Sequence, residues 1–274
     1  MPELPEVETF RRFLLQGVSG SPSILGKRIE NAEVLWEGSL AFPAPDQFRD
    51  QIEGQFVTGV SRRGKNLLVS LSDQTLIIHL RMSGELVVEE KTNPKGKHYR
   101  IILNFSDQYR LAFNNIRKFG RIWLTADPES VVGHLGPEPL AEDFTAQRFH
   151  KLLHSRNRQL KYFLLDQTVI AGMGNIYTDE TLYRARLHPA RISSTLSEAE
   201  SKLLWKSMRE VLKEGIQNHG SSIDWMYKGG DYQKYLSVYN LEGKLCQRCK
   251  TPIKRIKIAQ RSTYYCPSCQ MLPE

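Results

Sequence analysis

Cys246-Gln247-Arg248-Cys249, followed after sixteen residues by Cys266-Pro267-Ser268-Cys269, decides the fold of one end of the chain. Each Cys-x-x-Cys pair can clasp one side of a tetrahedral ion from a tight turn, and the segment between them, Lys250 to Tyr265, can close as a hairpin. Four thiolates fill the coordination sphere and leave no place for water, so one structural Zn2+ is expected rather than a catalytic metal. Two disulfides or two redox pairs are the competing reading. A cytosolic chain argues against the first, and the doubled spacing argues against the second. Such a hairpin is too small to fold unaided, so the metal would lock it.

The same region is basic. From Leu241 onward seven Lys and Arg face two Glu, which places +5 of the net +8 charge of this 274-residue chain in its last thirty-four residues. A concentrated positive segment and a pI of about 9.3 point to a polyanionic partner. The length suggests two domains. No run of eighteen apolar residues occurs, and Glu3, Glu6, Glu8, Arg11 and Arg12 crowd the start. These features argue against a membrane span or secretory signal and for a cytoplasmic protein.

Val7, Phe10, Phe13 and Leu14 recur at helical spacing within Glu6 to Gln16. From Lys27 to about Val132 the pattern is strand-like, in segments 56–60, 66–71, 75–80, 99–105, 109–113 and 121–124 bounded by Gly, Asp, Asn and Ser. The expected architecture is an antiparallel β-sandwich or barrel. Gly136-Pro137-Glu138-Pro139 then punctuates the chain, and helices follow at 146–154, 158–165, 176–186 and 197–218. Ser197 with Glu200 three positions later forms a capping-box signature. The expected fold class is therefore α+β and multidomain: residues 1–134 a catalytic sandwich with an N-terminal helix, 135–140 a linker, 141–240 a helical DNA-binding domain, and 241–274 the zinc hairpin.

The opening Met1-Pro2-Glu3-Leu4-Pro5-Glu6 carries the chemistry. Once Met1 is removed, Pro2 presents a secondary amine with a pKa of roughly 8 or below, partly unprotonated at neutral pH. Such an amine can attack a sugar aldehyde carbon to give an iminium, which makes the neighbouring carbon acidic and allows elimination. Glu3 stands beside it as a proton shuttle. The bland alternative is a stiff proline lead-in to a helix. In Asp166 to Tyr177, Gly172 and Gly174 permit a tight turn, and the amides around Asn175 at a helix start suit a phosphate. An ordinary helix-helix turn would look similar.

The ordered motifs Pro2-Glu3-Leu4-Pro5-Glu6-Val7-Glu8-Thr9, Arg62-Arg63-Gly64-Lys65, His79-Leu80-Arg81-Met82, Arg117-Lys118-Phe119-Gly120, Leu135-Gly136-Pro137-Glu138-Pro139-Leu140, the Asp166 to Tyr177 stretch and the four cysteines span nearly the whole chain. Together they resemble the formamidopyrimidine-DNA glycosylase and endonuclease VIII family, nearest its formamidopyrimidine branch. The resemblance implies a helix-two-turns-helix domain beside the sandwich, duplex DNA gripped between domains, and base-excision repair by a nucleoid-associated monomer. A damaged nucleotide is flipped out, its base excised and the abasic site cleaved by β/δ-elimination. Zinc is the cofactor implied; no nucleotide cofactor and no membrane are.

Carried over by motif, Pro2 would attack the sugar C1′, Glu3 would shuttle protons, and Lys65 would bind phosphates and help activate the base. Met82, Arg117 and Phe119 would occupy the space left by the flipped nucleotide. Asn175 and Arg261 would clamp the flanking phosphates, and Glu6 would orient the site through hydrogen bonds, with helix capping or a surface helix position as its alternative. From periodicity alone, Met82 and Phe119 would be core residues and Arg117, Lys65 and Arg261 solvated charges.

Several positions depart from the family pattern. Ala259-Gln260-Arg261-Ser262-Thr263-Tyr264 replaces the usual Ala-Gly-Arg-Gly-Thr-His, Asn115 stands where Asp is common, and Ser83 follows Met82 where Glu is frequent. The segment between Gly220 and Cys246 is short, with Ile223-Asp224-Trp225 in place of Val-Arg-Thr. Trp225, Tyr227 and Tyr232 there are candidate stacking faces or packing residues. Oxidised pyrimidines therefore stand beside 8-oxoguanine and formamidopyrimidines as substrates. A damaged-DNA or abasic-site recognition protein of the same fold is the alternative function, and a zinc-containing RNA-binding protein a more distant one. The seven histidines form no metal pattern, and His79, in an apolar run, reads as a satisfied interior residue.

Overall fold

The computed structural model describes residues 1–18, 20–222 and 229–272. The chain divides into two compact units, Met1–His134 with Ser221–Gly230, and Leu135–Gly220 with Asp231–Glu274.

The first unit opens with helix α1 (Leu4–Gln16). It begins two residues before the periodicity predicts, because Pro5 lies in the first turn, where a missing N–H costs nothing, and a capping box links Glu3 and Glu6. Then follow β1 (Ile29–Val34), β2 (Leu40–Phe42), α2 (Pro45–Ile52), β3 (Val57–Arg63), β4 (Asn66–Leu71), β5 (Thr75–His79), β6 (Gly84–Glu90), β7 (Tyr99–Phe105), β8 (Tyr109–Asn115), β9 (Arg121–Thr125) and α3 (Glu129–Val132). One sheet has the order β1-β7-β8-β6 and the other β2-β9-β5-β4-β3. All pairings are antiparallel except that of β2 with β9, which is parallel and corrects the all-antiparallel expectation at one short edge. Inward residues of the two sheets, among them Leu67, Val69, Leu76, Ile78, Leu86, Leu103, Phe113 and Leu124, form one apolar core with Val7, Phe10 and Leu14 of α1. The β-sandwich is thereby observed.

Five elements of this unit escaped explicit prediction, and two of them, β2 and α3, have only three and four residues. Strand β1 carries Glu30, Asn31 and Glu33 and breaks its register between Ile29 and Asn31, so no apolar alternation survives. Helix α2 has eight residues and buries only Phe48 and Ile52. Strand β6 does alternate, with Leu86 and Val88 inward, but offers only those two buried apolar residues, and the adjacent Val87 blurs the alternation in sequence.

The second unit contains α4 (Ala146–His154), α5 (Leu160–Leu165), α6 (Asn175–Arg184), α7 (Glu198–Gln217) and the hairpin β10 (Lys254–Ile258) with β11 (Arg261–Tyr265). Helix α7 starts from the expected Ser197–Glu200 capping box. The segment after Leu135 lies against the α5–α6 turn: Gly136 N–H donates to the Gln167 carbonyl (2.8 Å) and Ala171 N–H to that of Pro137 (3.1 Å). A Cβ on Gly136 would come within 2.4 Å of the Val169 carbonyl carbon and 2.8 Å of the Thr168 oxygen, both backbone atoms. Replacing Gly136 by Ala is expected to lower unfolding free energy by about 2 kcal/mol in urea titration, the cost of displacing packed backbone.

Candidate active site and nucleic-acid interface

The N-terminus is fixed by one carboxylate. Glu6 Oε2 accepts the Glu3 N–H (2.8 Å) and Glu6 Oε1 accepts the Ser221 N–H (2.7 Å). Glu3 and Glu6 are each 3% exposed, and Pro2 is buried while Met1 is exposed. Removal of Met1 would make the Pro2 nitrogen a free secondary amine on the residue that precedes the buried Glu3.

Lys65 sits in the β3–β4 turn, where Gly64 takes the positive φ that the tight reversal requires. At 5% exposure it is a buried lysine and not the solvated charge that composition alone suggests. The turn is tied to α1. Arg62 donates to the Gly64 carbonyl (2.9 Å) and lies 3.5 Å from Glu8, which also binds Arg11 and Arg12. Burial by itself would raise the Glu8 pKa, but Arg11, Arg12 and Arg62 outweigh it and hold the carboxyl below its usual range. Burial first, then the positive charges of Arg81 and Lys65, push the His79 pKa down to about 3. His79 is neutral at physiological pH, and its Nδ1 accepts the Arg81 N–H (3.0 Å). It is a satisfied structural residue, as the apolar run suggests.

Met82, Arg117 and Phe119 are exposed together on two neighbouring loops, with Met82 at 42% and Phe119 at 55%. The Arg117 guanidinium points to the Met82 sulfur (3.7 Å). Two large apolar side chains displayed this way are not core residues, contrary to the periodicity reading. The departures Ser83 and Asn115 support these loops jointly: Ser83 Oγ donates to Asn115 Oδ1 (3.2 Å) and accepts the Arg117 N–H (3.1 Å). A neutral hydroxyl–amide pair thus fixes the start of the Arg117 loop.

In the second unit, α6 is the anchor for the hairpin. Asn175 at its N-terminus donates to the Ser262 carbonyl (3.0 Å). Asp179 accepts from the Tyr264 N–H (3.0 Å) and from the fully buried Lys161 ammonium (2.6 Å), which also reaches the Asn175 carbonyl (3.3 Å). Glu180 accepts the Ser237, Val238 and Tyr239 N–H groups (2.9, 3.0 and 2.9 Å). Burial raises the pKa of both acids, while Lys161 opposes the shift at Asp179 and the three amides oppose it at Glu180. Sequence reasoning missed Lys161, Asp179 and Glu180; the available signal was ionisable residues embedded among Leu160, Phe163, Tyr177 and Leu182.

Arg261 is exposed at the first position of β11, next to the turn residues Ala259 and Gln260, which take φ values of 50° and 58°. The tight hairpin turn thus persists without the family's glycine, at the cost of left-handed backbone on two L-residues. Tyr232 is 1% exposed and stacks on Tyr177 (5.2 Å), so it packs the helical unit and is not a free stacking face. Ile223-Asp224-Trp225 and Tyr227 lie outside the described residues.

The sulfur atoms of Cys246, Cys249, Cys266 and Cys269 lie within 4.8 Å of one another. Sulfur separations of 3.9 Å for Cys246–Cys269, 3.4 Å for Cys249–Cys266 and 3.5 Å for Cys249–Cys269 are near the ~3.8 Å edge of a ZnS4 tetrahedron. None of the four forms a disulfide. They fit one structural zinc, with the Tyr183 hydroxyl 3.3 Å from the Cys246 sulfur as an outer partner.

A sandwich that buries its N-terminal proline and acids, joined in sequence to a helical unit carrying a basic zinc hairpin, is the make-up of a zinc-stabilised nucleic-acid-binding protein. Family models agree piece by piece: the formamidopyrimidine-DNA glycosylase N-terminal domain matches residues 1–122, the H2TH domain of the same proteins 135–226, and the zinc finger found in FPG and IleRS 243–270. The chain belongs to the formamidopyrimidine-DNA glycosylase family. It is 43% identical to the formamidopyrimidine-DNA glycosylase of Pelotomaculum thermopropionicum, over 98% of this chain and 99% of that one. It is 40% identical to that of Protochlamydia amoebophila, over the same shares. A solved Lactococcus lactis FPG mutant in complex with Fapy-dG-containing DNA matches with a TM-score of 0.90 at 36% identity, covering 99% of this chain and all of that one. A Lactococcus lactis Fpg complex with abasic-site DNA matches with a TM-score of 0.90 over 98% of this chain and all of that one.

Replacing Glu180 by Gln puts an amide N–H against backbone donors and removes the charge that binds them. The expected loss is about 3 kcal/mol of stability in urea unfolding of the zinc-loaded protein.

Proposed function

We propose that the chain is a bifunctional DNA glycosylase and abasic-site lyase of base-excision repair, acting on duplexes that carry oxidised bases. The observation that carries this reading is the buried Pro2-Glu3 pair held by Glu6 at the capped start of α1. Relatives solved with Fapy-dG and abasic-site DNA support it from outside.

With Met1 removed, the Pro2 nitrogen lone pair attacks C1′ of the flipped nucleotide. The C1′–base bond breaks, and the base leaves with its electron pair and takes up the proton that the Pro2 nitrogen loses. Glu3 protonates the sugar ring oxygen as the ring opens, giving a Pro2–C1′ iminium. The Glu3 carboxylate left after ring opening takes a C2′ proton; the C2′–H electron pair flows into the iminium and then expels the 3′ phosphate, and a second elimination, with loss of a C4′ proton, expels the 5′ phosphate. Water then releases Pro2. Lys65, buried in its turn, binds phosphate near the lesion and helps activate the leaving base.

Met82, Arg117 and Phe119 fill the vacated stack: a thioether and an aromatic face replace base contacts, and the guanidinium hydrogen-bonds the orphaned base. Asn175, at the positive end of α6, and Arg261, on the hairpin bonded to Asn175, clamp the flanking phosphates. Zinc holds that hairpin folded and takes part in no bond change. The substrates are 8-oxoguanine and formamidopyrimidines, with oxidised pyrimidines admitted by the altered residues after Gly220.

An N-terminal extension that keeps Pro2 as an amide is expected to leave binding of lesion DNA intact and abolish cleavage. Glu3→Gln is expected to slow base excision by roughly a hundredfold or more and to slow cleavage of a preformed abasic site much less, since that substrate bypasses glycosidic bond rupture. Full-rate cutting by the extended protein contradicts the iminium mechanism. Tight lesion binding by the native N-terminus with no excision of any oxidised base favours a recognition protein.

A further inference from the structure

We propose that Trp36 is a positioning residue for the loop that presents Arg117 and Phe119, and that it acts by holding Lys118, the residue between them. The inference rests on the reading of this loop as the one that fills the vacated stack. Lys118 Nζ lies 3.7 Å from the centre of the Trp36 ring, the shortest cation–ring approach among the described residues. An ammonium at that distance is attracted by the negative face of the indole.

Independent features show that the site is built around this contact. Lys118 has φ 60°, a left-handed conformation that costs an L-residue with a long side chain and persists only when its surroundings enforce it. The backbone on its C-terminal side is held by Arg121, whose guanidinium donates to the carbonyls of Lys118 (3.2 Å) and Gly120 (3.1 Å). Trp36 holds the side chain. Its own backbone is anchored to the same strand end as the loop: Leu35 and Trp36 N–H both donate to the Arg100 carbonyl (2.8 and 3.1 Å), and Arg100 Nε donates to the Asn115 carbonyl (2.8 Å). Gly38 leaves room for the indole, since a Cβ there would fall 2.7 Å from Trp36 Nε1.

The left-handed turn at Lys118 determines where its neighbours Arg117 and Phe119 project. Releasing the ammonium removes the restraint that acts through the Lys118 side chain and leaves only backbone ones, from Arg121, Ser83 and the Asn115 carbonyl. The free protein would then sample loop conformations in which Arg117 and Phe119 are misplaced, and binding of a flipped duplex would bear the cost of reordering them. The chemistry at Pro2 uses neither Trp36 nor Lys118, so it is left alone once DNA is bound.

The test is steady-state and single-turnover kinetics of Trp36→Leu, Lys118→Met, the double variant and Trp36→Phe, with Phe119→Ala as control. Trp36→Leu and Lys118→Met are each expected to raise KM for a lesion duplex by about fivefold, with the single-turnover rate on saturating abasic DNA unchanged. The double variant should be no worse than either single one, and Trp36→Phe should recover most of the loss because the ring face is retained. Additive effects, or no change in KM, overturn the proposal. So does a salt slope reduced by about one in Lys118→Met but unchanged in Trp36→Leu, since Lys118 would then be a phosphate ligand. If Phe119→Ala also leaves KM unchanged, the stack-filling reading of the loop fails; if Phe119→Ala raises KM and Trp36→Leu does not, only the role of Trp36 fails.

Discussion

The Glu6 carboxylate is shared between two backbone N–H groups, one three residues before it and one 215 residues after it, and the start of the chain hangs on it. Chain termini are ordinarily frayed, because little opposes their conformational entropy. Here Pro2 and Glu3 are buried, and each oxygen of one acid accepts a main-chain hydrogen bond. Charge-assisted bonds of this kind are worth about 1.5–3 kcal/mol each, and losing the acid would also strand two buried donors. Glu3 and the preceding Pro2 are thereby placed by the cap of α1, and the Glu8–Arg62 contact extends the same order to the turn carrying Lys65.

A second pair of buried acids does comparable work in the helical unit. Asp179 and Glu180 are adjacent on α6 yet serve different masters: one binds the hairpin backbone at Tyr264, the other the incoming segment at Ser237 to Tyr239. Fully buried carboxylates are costly unless every oxygen finds a donor. Lys161 and four backbone amides supply those donors, and the result is a zinc hairpin docked on the helix that begins with Asn175. The cysteine cluster and the helix thus both hold the hairpin, and Tyr183 of α6, touching Cys246, joins the two supports.

Most of this fold was legible where the physics is local. The cysteine spacing, the Ser197–Glu200 cap and the apolar strands β4, β5 and β7 follow from short-range patterns, and the sandwich follows from their number. The structure corrects the reading where tertiary contacts override those patterns. Strand β1 is polar and bulged, α2 is too short to show a period, and β2 joins the sheet in parallel through three residues. Periodicity also misassigned Met82 and Phe119 to the core, since an apolar side chain held at the surface looks, in sequence, like one reserved for packing. The motif resemblance named these residues, but it could not show that Ser83 and Asn115, two departures from the pattern, bond to each other beneath Arg117. Nor could it show Trp36 beside Lys118, a pairing across eighty-two positions of chain.

The most direct test of the central claim is borohydride reduction of the untagged protein mixed with duplexes containing an abasic site, 8-oxoguanine, formamidopyrimidine or 5-hydroxyuracil, followed by mass spectrometry of the adduct. The account predicts a covalent protein–DNA species on a chain lacking Met1, with the DNA remnant on the Pro2 nitrogen, formed from abasic and oxidised-base substrates alike. An adduct mapped to a lysine, or efficient strand cleavage with no reducible intermediate, would contradict it.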